Sequence, residues 1–434
     1  MSDYIYILES HLSPDQNQVL GEVMAAAGQA NVNLFLTGGA MRDMLGGFRI
    51  RDLDFVVEGA ALKLAKTVAG RSGATIVTAD ENRKSAELEF PSGATAQIAM
   101  SRQEKYPRAG GKPQVTPATI QEDLRGRDFT CNAVALSLNK TSRGLLLDPL
   151  NGLADIERHE LRAVSPYGFY DDPTRLLRLV RLSIRLGFTV EERTAMQVAN
   201  AREAEVEKAI SPRALGAELK LIGVEDNAAE IVEALAQAGL LSLFSPALAG
   251  GHPHHAALIK FEKIARMLPD ESQTRAARFG PFLVALTEKL SSREKLALAK
   301  HLEMSRADTN HWLQLEARSK KLAAALRSAR IRKPSQVYQL VSGAAPDQVM
   351  FLLYASPLKP VQDRLRAYFQ KYLPAVQEIT PEEWATVEAK PSRRQKAREE
   401  FIANRLDRRA PRKPPPDPLP PPPVSEPVMM RRGR

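Results

Sequence analysis

Two aspartates, Asp52 and Asp54, stand sixteen residues beyond the start of Leu36-Thr37-Gly38-Gly39, with Arg42-Asp43 between the two elements. The run Asn33-Leu34-Phe35-Leu36-Thr37 is apolar enough for a buried strand. Gly38-Gly39 then lets the backbone turn tightly and approach a bulky anion. In a second strand, Asp52-Leu53-Asp54-Phe55-Val56-Val57, period-2 geometry puts both carboxylates on one face while Leu53, Phe55 and Val57 pack beneath. Neighbouring carboxylates repel unless a cation separates them. Hard oxygen ligands on a rigid strand suit Mg²⁺, which completes its shell with water and substrate phosphates, so the chemistry implied is phosphoryl or nucleotidyl transfer. Gly38, Gly39 and Arg42 lie where backbone amides and a guanidinium can grip a triphosphate, with Asp43 orienting Arg42 or serving as a helix-start carboxylate. A D-x-D alone also fits the solvated face of an edge strand, and the motifs downstream weigh against that.

Those motifs are Glu122-Asp123-Leu124-Arg125-Gly126-Arg127-Asp128-Phe129-Thr130-Cys131-Asn132-Ala133, then Asp148-Pro149-Leu150-Asn151-Gly152-Leu153-Ala154-Asp155, then Asp171-Asp172-Pro173-Thr174-Arg175-Leu176-Leu177-Arg178-Leu179-Val180-Arg181. In this order and at these spacings, from about Leu34 to Leu248, the chain resembles the tRNA nucleotidyltransferase and poly(A) polymerase family, the bacterial-type branch of the DNA polymerase β superfamily. The resemblance implies an α+β chain: a polymerase β-like head with a mixed sheet, followed by an all-helical neck, body and tail. It implies metal held by Asp52 and Asp54, and Arg127, Asp128 and Asn132 bordering the ribose and phosphates of the nucleotide. It implies that Asp172 and Arg175 present hydrogen bonds to the base edge of the incoming nucleotide. The physics agrees: a carboxylate accepts from an exocyclic amine and a guanidinium donates to a ring nitrogen or carbonyl, so C and A are bound while G and U are refused.

Asp172 precedes Pro173 as a helix cap would, and Arg175, Arg178, Arg181 and Arg185 recur at spacings of three, three and four. Without interleaved acids the four charges call for an anion, which assigns Arg178 and Arg181 to the nucleotide as well. Leu176, Val180 and Ile184 lie elsewhere on the wheel. Asp171 stands where the family's motif usually begins with Glu. Other departures are Gln97 at a position where relatives commonly carry an acid, Gly126 and Ala214 where arginines are common, and a retained Glu218. Gln97 supplies no negative charge, so Asp52 and Asp54 must suffice or Glu87 or Glu89 must compensate.

Length and composition set the frame. The chain of 434 residues, 44% hydrophobic, exceeds what one compact domain usually holds. A net charge of +10 and a pI near 9.6 favour a polyanionic partner such as RNA. The single cysteine, Cys131, excludes an intramolecular disulfide and reads as a small buried filler. No apolar stretch approaches a membrane span and the first residues lack a signal-peptide pattern, so a cytoplasmic protein is expected.

Helical periodicity is expected over residues 14–29, 60–69, 173–185, 191–209, 211–222, 228–241, 292–301, 306–329 and 347–354, and from Arg127-Asp128 through Leu138. Strands are expected near 74–78, 86–90, 95–100 and 145–148. The division that follows is an N-terminal helix at 1–30, a head at 31–160, a helical neck at 161–248, a helical body and tail at 249–390, and a basic, proline-rich tail at 391–434, disordered or extended. His252, His254 and His255 sit in a Gly-rich turn without the Asp of a metal-dependent hydrolase, and read as a loop without metal.

The activity expected is template-independent addition of C and/or A to the 3′ end of tRNA from CTP and ATP, with Mg²⁺. A poly(A) polymerase acting on RNA 3′ ends is the nearest alternative, and a catalytically weakened RNA-binding relative is the alternative from another class. An antibiotic-modifying nucleotidyltransferase shares the D-x-D logic but has no need of the arginine helix.

Overall fold

The computed structural model describes residues 4–249, 255–269, 272–387 and 394–408. His252, His254, Ser392, Arg393 and the polyproline run fall outside them.

Two helices come first, α1 (Tyr4–His11) and α2 (Pro14–Ala30). Ser13 starts α2 with a capping box, its side chain accepting from the Gln16 amide while the Gln16 side chain accepts from the Ser13 N–H, and Pro14 fills the first turn where no amide is needed. Then follow β1 (Asn33–Thr37), α3 (Gly38–Leu45), β2 (Leu53–Glu58), α4 (Ala61–Ser72), β3 (Thr75–Asp80), β4 (Ser85–Glu89) and β5 (Thr95–Met100). A hairpin of β6 (Arg102–Lys105) and β7 (Gln114–Pro117) leads to α5 (Ile120–Arg125), a short 3₁₀ turn at Thr130–Asn132, β8 (Ala135–Ser137) and β9 (Leu146–Leu147). Seven strands form one mixed sheet in the order β3-β4-β5-β2-β1-β8-β9.

The expected fold class holds: a mixed-sheet head and a mostly helical remainder. β2 lies inside the sheet, parallel to β5 and antiparallel to β1. Leu53, Phe55 and Val57 point into one apolar core with α2 and α4, while Val56 and Phe35 enter a smaller cluster with Ile120 and Leu124 on the opposite face. Residues buried on both sides hold the backbone of β2 rigid where Asp54 emerges, while Asp52, expected in this strand, stands in the bend just before it.

Beyond the sheet come α6 (Gly152–Glu157), β10 (Glu160–Leu161), α7 (Gly168–Asp171), α8 (Thr174–Leu186), β11 (Thr189–Val190), α9 (Glu192–Glu203), α10 (Pro212–Gly223), α11 (Ala228–Gln237), α12 (His255–Ala265), α13 (Ser272–Ala276) and α14 (Phe279–Leu286). The inner side of α8 is Leu176, Leu179, Leu182 and Leu186, packed with Phe129, Cys131 and Phe169. Val180 and Ile184, expected on that side, are only half-buried.

The chain divides into two compact units: one of residues 1–328 with 343–365, and one of residues 329–342 with 366–434. Within the second, Ser335 donates both its amide and hydroxyl to Asp407, and Tyr338 stacks on Tyr368. Among the described residues no helix is long and apolar enough to cross a membrane.

The structure corrects the reading in several places. The helix expected from Arg127 to Leu138 is a three-residue turn followed by β8, because Ala133, Val134, Ala135 and Leu136 are all fully buried and β8 must bridge β1 and β9. Such a two-sided apolar run carries no periodicity to separate strand from helix. The helix expected over 306–329 breaks at Gln314 into Arg306–Leu313 and Leu315–Arg327. That over 191–209 ends at Glu203, followed by a 3₁₀ turn at Val206–Ala209. Beyond Asp171, where no strand was expected, β11 pairs parallel with β10.

Candidate active site

The turn from β1 into α3 is built against Asp54. Gly38 has φ +63°, and a Cβ there would stand 3.1 Å from Asp54 Oδ2; at Gly39 it would stand 3.2 Å away. The Gly39 amide donates to that same oxygen at 3.0 Å. The left-handed backbone at Gly38 and the close approach of Asp54 to both positions favour glycine there, and the Gly39 amide is turned toward the carboxylate. Thr37, at the N-cap, is fully buried and its hydroxyl has no partner among the described residues.

Asp52 is exposed and accepts a 2.5 Å bond from Thr95 Oγ1 on β5. Asp54 is pushed up to about 6, first by burial and then by the Asp52 charge, against the opposing pull of Arg127 and the Gly39 amide. A carboxylate whose ionisation is opposed by burial and by a neighbouring charge fits a hard divalent cation, which would relieve both.

Register places Gln97 beside Asp54, and Glu87 beside Gln97. At the usual strand spacing Glu87 is roughly 10 Å from Asp54, and it is exposed. No three His, Cys, Asp or Glu side chains come together as metal ligands among the described residues. Neither Glu87 nor Glu89 thus completes a trio of carboxylates.

The second motif wraps around the first. Arg42 is buried, giving Nε and Nη2 to Asp43 Oδ1 at 2.9 and 2.7 Å and Nη1 to Asn132 Oδ1 at 2.7 Å. Asn132 donates in turn to Asp128 Oδ1 at 2.9 Å, and Asp128 Oδ2 accepts from Arg178 at 2.8 Å. Burial pushes the Asp128 pKa up, but Arg178, Arg175 and the Asn132 bond bring it well below the usual carboxylate range. Arg127 clasps Asp123 Oδ2 at 2.9 and 2.6 Å and lies near enough to Asp54 to favour its ionised form. Phe129 and Cys131 are wholly buried, and burial pushes the thiol up to about 12, so Cys131 is an inert filler as expected.

The arginine helix departs from the reading of its charges. Asp172 Oδ1 accepts from the amide and hydroxyl of Thr174, capping the start of α8. Arg175 donates to the carbonyls of Arg127 at 3.2 Å and Gly126 at 3.1 Å, and its buried Nε has no partner among the described residues. The missing anion for the rest of the stripe comes from other elements: Asp128 for Arg178, Glu218 at 2.6 Å and Glu225 at 3.2 Å for Arg181, and Asp43 at 2.7 Å for Arg185. Arg181 is buried at 6% exposure, so its guanidinium braces α8 against α10. The stripe did not need a ligand to neutralise it. Spacing along one helix reveals which residues share a face, but not which acids a distant element brings to it.

Three participants were missed. Asp123 holds Arg127, Glu225 gathers arginines from two elements, and Arg51 reaches Glu225 at 2.6 Å and Asp226 at 3.1 Å. Only Arg51 carried a signal, as the residue immediately before Asp52.

Residues 34–162 match the poly A polymerase head domain. An A-adding tRNA nucleotidyltransferase of Aquifex aeolicus is 37% identical over 208 residues, which is 46% of this chain and 24% of that protein. A CC-adding tRNA nucleotidyltransferase of Deinococcus radiodurans is 36% identical over 228 residues, 52% of this chain and 59% of that protein. The chain thus spans between a quarter and three fifths of these two relatives. A Thermotoga maritima CCA-adding enzyme complexed with tRNA superposes with a TM-score of 0.52 at 24% identity, covering 94% of this chain and 95% of that one, a likeness of fold.

Proposed function

We propose, from the match of residues 34–162 to the poly A polymerase head domain and the geometry around Asp54, that the chain adds C and/or A nucleotides to the 3′ end of tRNA from CTP and ATP, releasing pyrophosphate. The observation that carries the reading is the glycine turn closed onto Asp54, with Asp52 one residue away and Arg127 beside it. It brings two carboxylates, the Gly39 amide and a guanidinium into one small space.

In this reading Asp52 and Asp54 would hold Mg²⁺, which when bound would supply positive charge that makes a 3′-hydroxyl more acidic and pyrophosphate a better leaving group. The chain's own groups do the positioning. Gly38 and Gly39 present amides to the triphosphate, and Arg127 adds charge. Asp128 and Asn132, held by Arg178 and Arg42, border the sugar; Arg42 itself acts from behind, since Asp43 and Asn132 engage three of its donors. Asp172 and Arg175 select the base, with Arg178 and Arg181 fixing the helix that carries them.

The division into head at 31–160, neck at 161–248 and body at 249–390 is part of the same proposal, as is a cytoplasmic location. Relatives that add only A and relatives that add only CC match this chain about equally well. The products must therefore be measured: tRNAs ending before C, after one C and after CC are each incubated with CTP or ATP alone. Extension of at least one supports the reading, whereas repeated addition of A to RNA homopolymers as readily as to tRNA would favour a poly(A) polymerase.

A further inference from the structure

A pocket of about 390 Å³ lies where the loop before β2, the end of α8, the α10–α11 junction and the segment after α12 converge. It is lined by Arg51, Arg185, Arg266, Arg278, Asp226, Asn227 and Leu268. Four guanidinium groups thus face one carboxylate in its wall.

The acids behind that wall are already shared. Asp226 serves Arg51 at 3.1 Å and Arg278 at 2.6 Å. Glu225 is approached by Arg51, Arg181 and, at 3.7 Å, Arg185. Asp43 is divided between Arg42 and Arg185. Among the described residues, Arg266 approaches Glu262 only at 3.8 Å and donates to the Asp226 carbonyl at 2.9 Å. Burial and then the repulsion of Arg42 bring the Arg185 pKa down to about 10, against the pull of Asp43 and Glu225.

A tetrahedral oxyanion matches such a wall, since guanidinium forks bind phosphate oxygens in pairs and Asn227 adds a polar edge. The sugar-phosphate clasp on the other side of Arg42 is separate: it uses Arg127, Asp128 and Asn132, none of which lines this pocket. We propose that this arginine pocket is a second phosphate site, taking either inorganic phosphate or a backbone phosphodiester of bound RNA. The RNA form rests on the nucleotidyltransferase reading; the inorganic form does not.

Occupation has a route to the first site. An anion drawing on Arg185 competes with Asp43 for it, and Asp43 orients Arg42, which holds Asn132.

The test uses the full chain without nucleotide. Arg266 is the variant of choice because its side chain is 57% exposed and its replacement opens no core. Inorganic phosphate is titrated by calorimetry into wild type, Arg266→Gln and Arg266→Lys, with circular dichroism to establish that all three fold. Binding of tRNA is measured in parallel across a salt series. For an inorganic ligand, phosphate binds saturably to wild type and Arg266→Lys and at least fivefold more weakly to Arg266→Gln. For a backbone phosphodiester, phosphate shows no such difference, but Arg266→Gln lowers the log–log salt slope of tRNA binding by about 1 while Arg266→Lys restores it. Arg266→Gln indistinguishable from wild type in both arms overturns the proposal. Wild type that extends tRNA yet shows neither effect leaves the enzymatic reading intact and removes only this site.

Discussion

Arg51 and Glu225 meet at 2.6 Å although 174 residues separate them in the chain. Arg51 immediately precedes Asp52, so the bend that leads into β2 is anchored by a residue beyond α10. Glu225, only 3% exposed, also receives Arg181 and lies 3.7 Å from Arg185. One buried carboxylate thus ties the segment that leads into β2 to α8, which carries Arg175 in its first turn.

Glu225→Gln should therefore destabilise the fold, because three guanidinium groups lose a shared counter-charge while remaining enclosed. Breaking a buried pair of this kind costs about 3–5 kcal/mol, and the exposure of Arg51 and Arg185, at 17% and 15%, favours the lower end. Urea denaturation measures it. Glu225→Asp should recover part of the loss, and a change under about 1 kcal/mol in the Gln variant would mean the hub is not needed.

Base selection is read by competition. Asp172→Ala or Arg175→Ala should erode discrimination against UTP and GTP by about 1–3 kcal/mol, the usual worth of a lost bidentate base contact. Arg175 presently donates to the Gly126 and Arg127 carbonyls, so it must turn from them to meet a base. Unchanged nucleotide preference in both variants would show that α8 does not select.

The sequence was legible where chemistry is local. The aspartate pair, the glycine turn and the Arg42–Asp43 contact follow from neighbours a few residues apart or from strand period. What escaped is long-range. Glu218, Glu225 and Asp43 come to the arginine stripe from elements that no periodicity links to α8, and so a neutralised face read as one awaiting a ligand. The β8 segment escaped because Ala133 to Leu136 is buried on both sides, which removes the alternation that marks a strand.

The position beside Asp54 gives a titration test. Asp54 sits at about 6, above the ordinary aspartate value, so a proton is held in the folded state where an unfolded chain has already released it. In the absence of metal its contribution to stability is full below about pH 4 and is lost as pH rises through about 6. Turnover that needs the ionised pair should correspondingly fall as pH drops below about 6. Gln97→Glu brings a third carboxylate into register with Asp54. It should lower the Mg²⁺ concentration for half-maximal turnover and move the acid limb to higher pH without metal excess. A clear loss of activity instead would mean the site is built around the neutral side chain.

The most direct measurement is incorporation of labelled CTP and ATP into tRNA lacking its 3′ end by wild type, Asp52→Ala and Asp54→Ala. Asp52 is exposed and Asp54 half-buried at the sheet surface, so both variants should fold and bind tRNA nearly as wild type does. The account predicts that wild type extends the tRNA and that either substitution lowers turnover by at least a thousandfold, about 4 kcal/mol of transition-state stabilisation. Near-normal turnover in either variant, or no incorporation by wild type into any truncated tRNA, would contradict it.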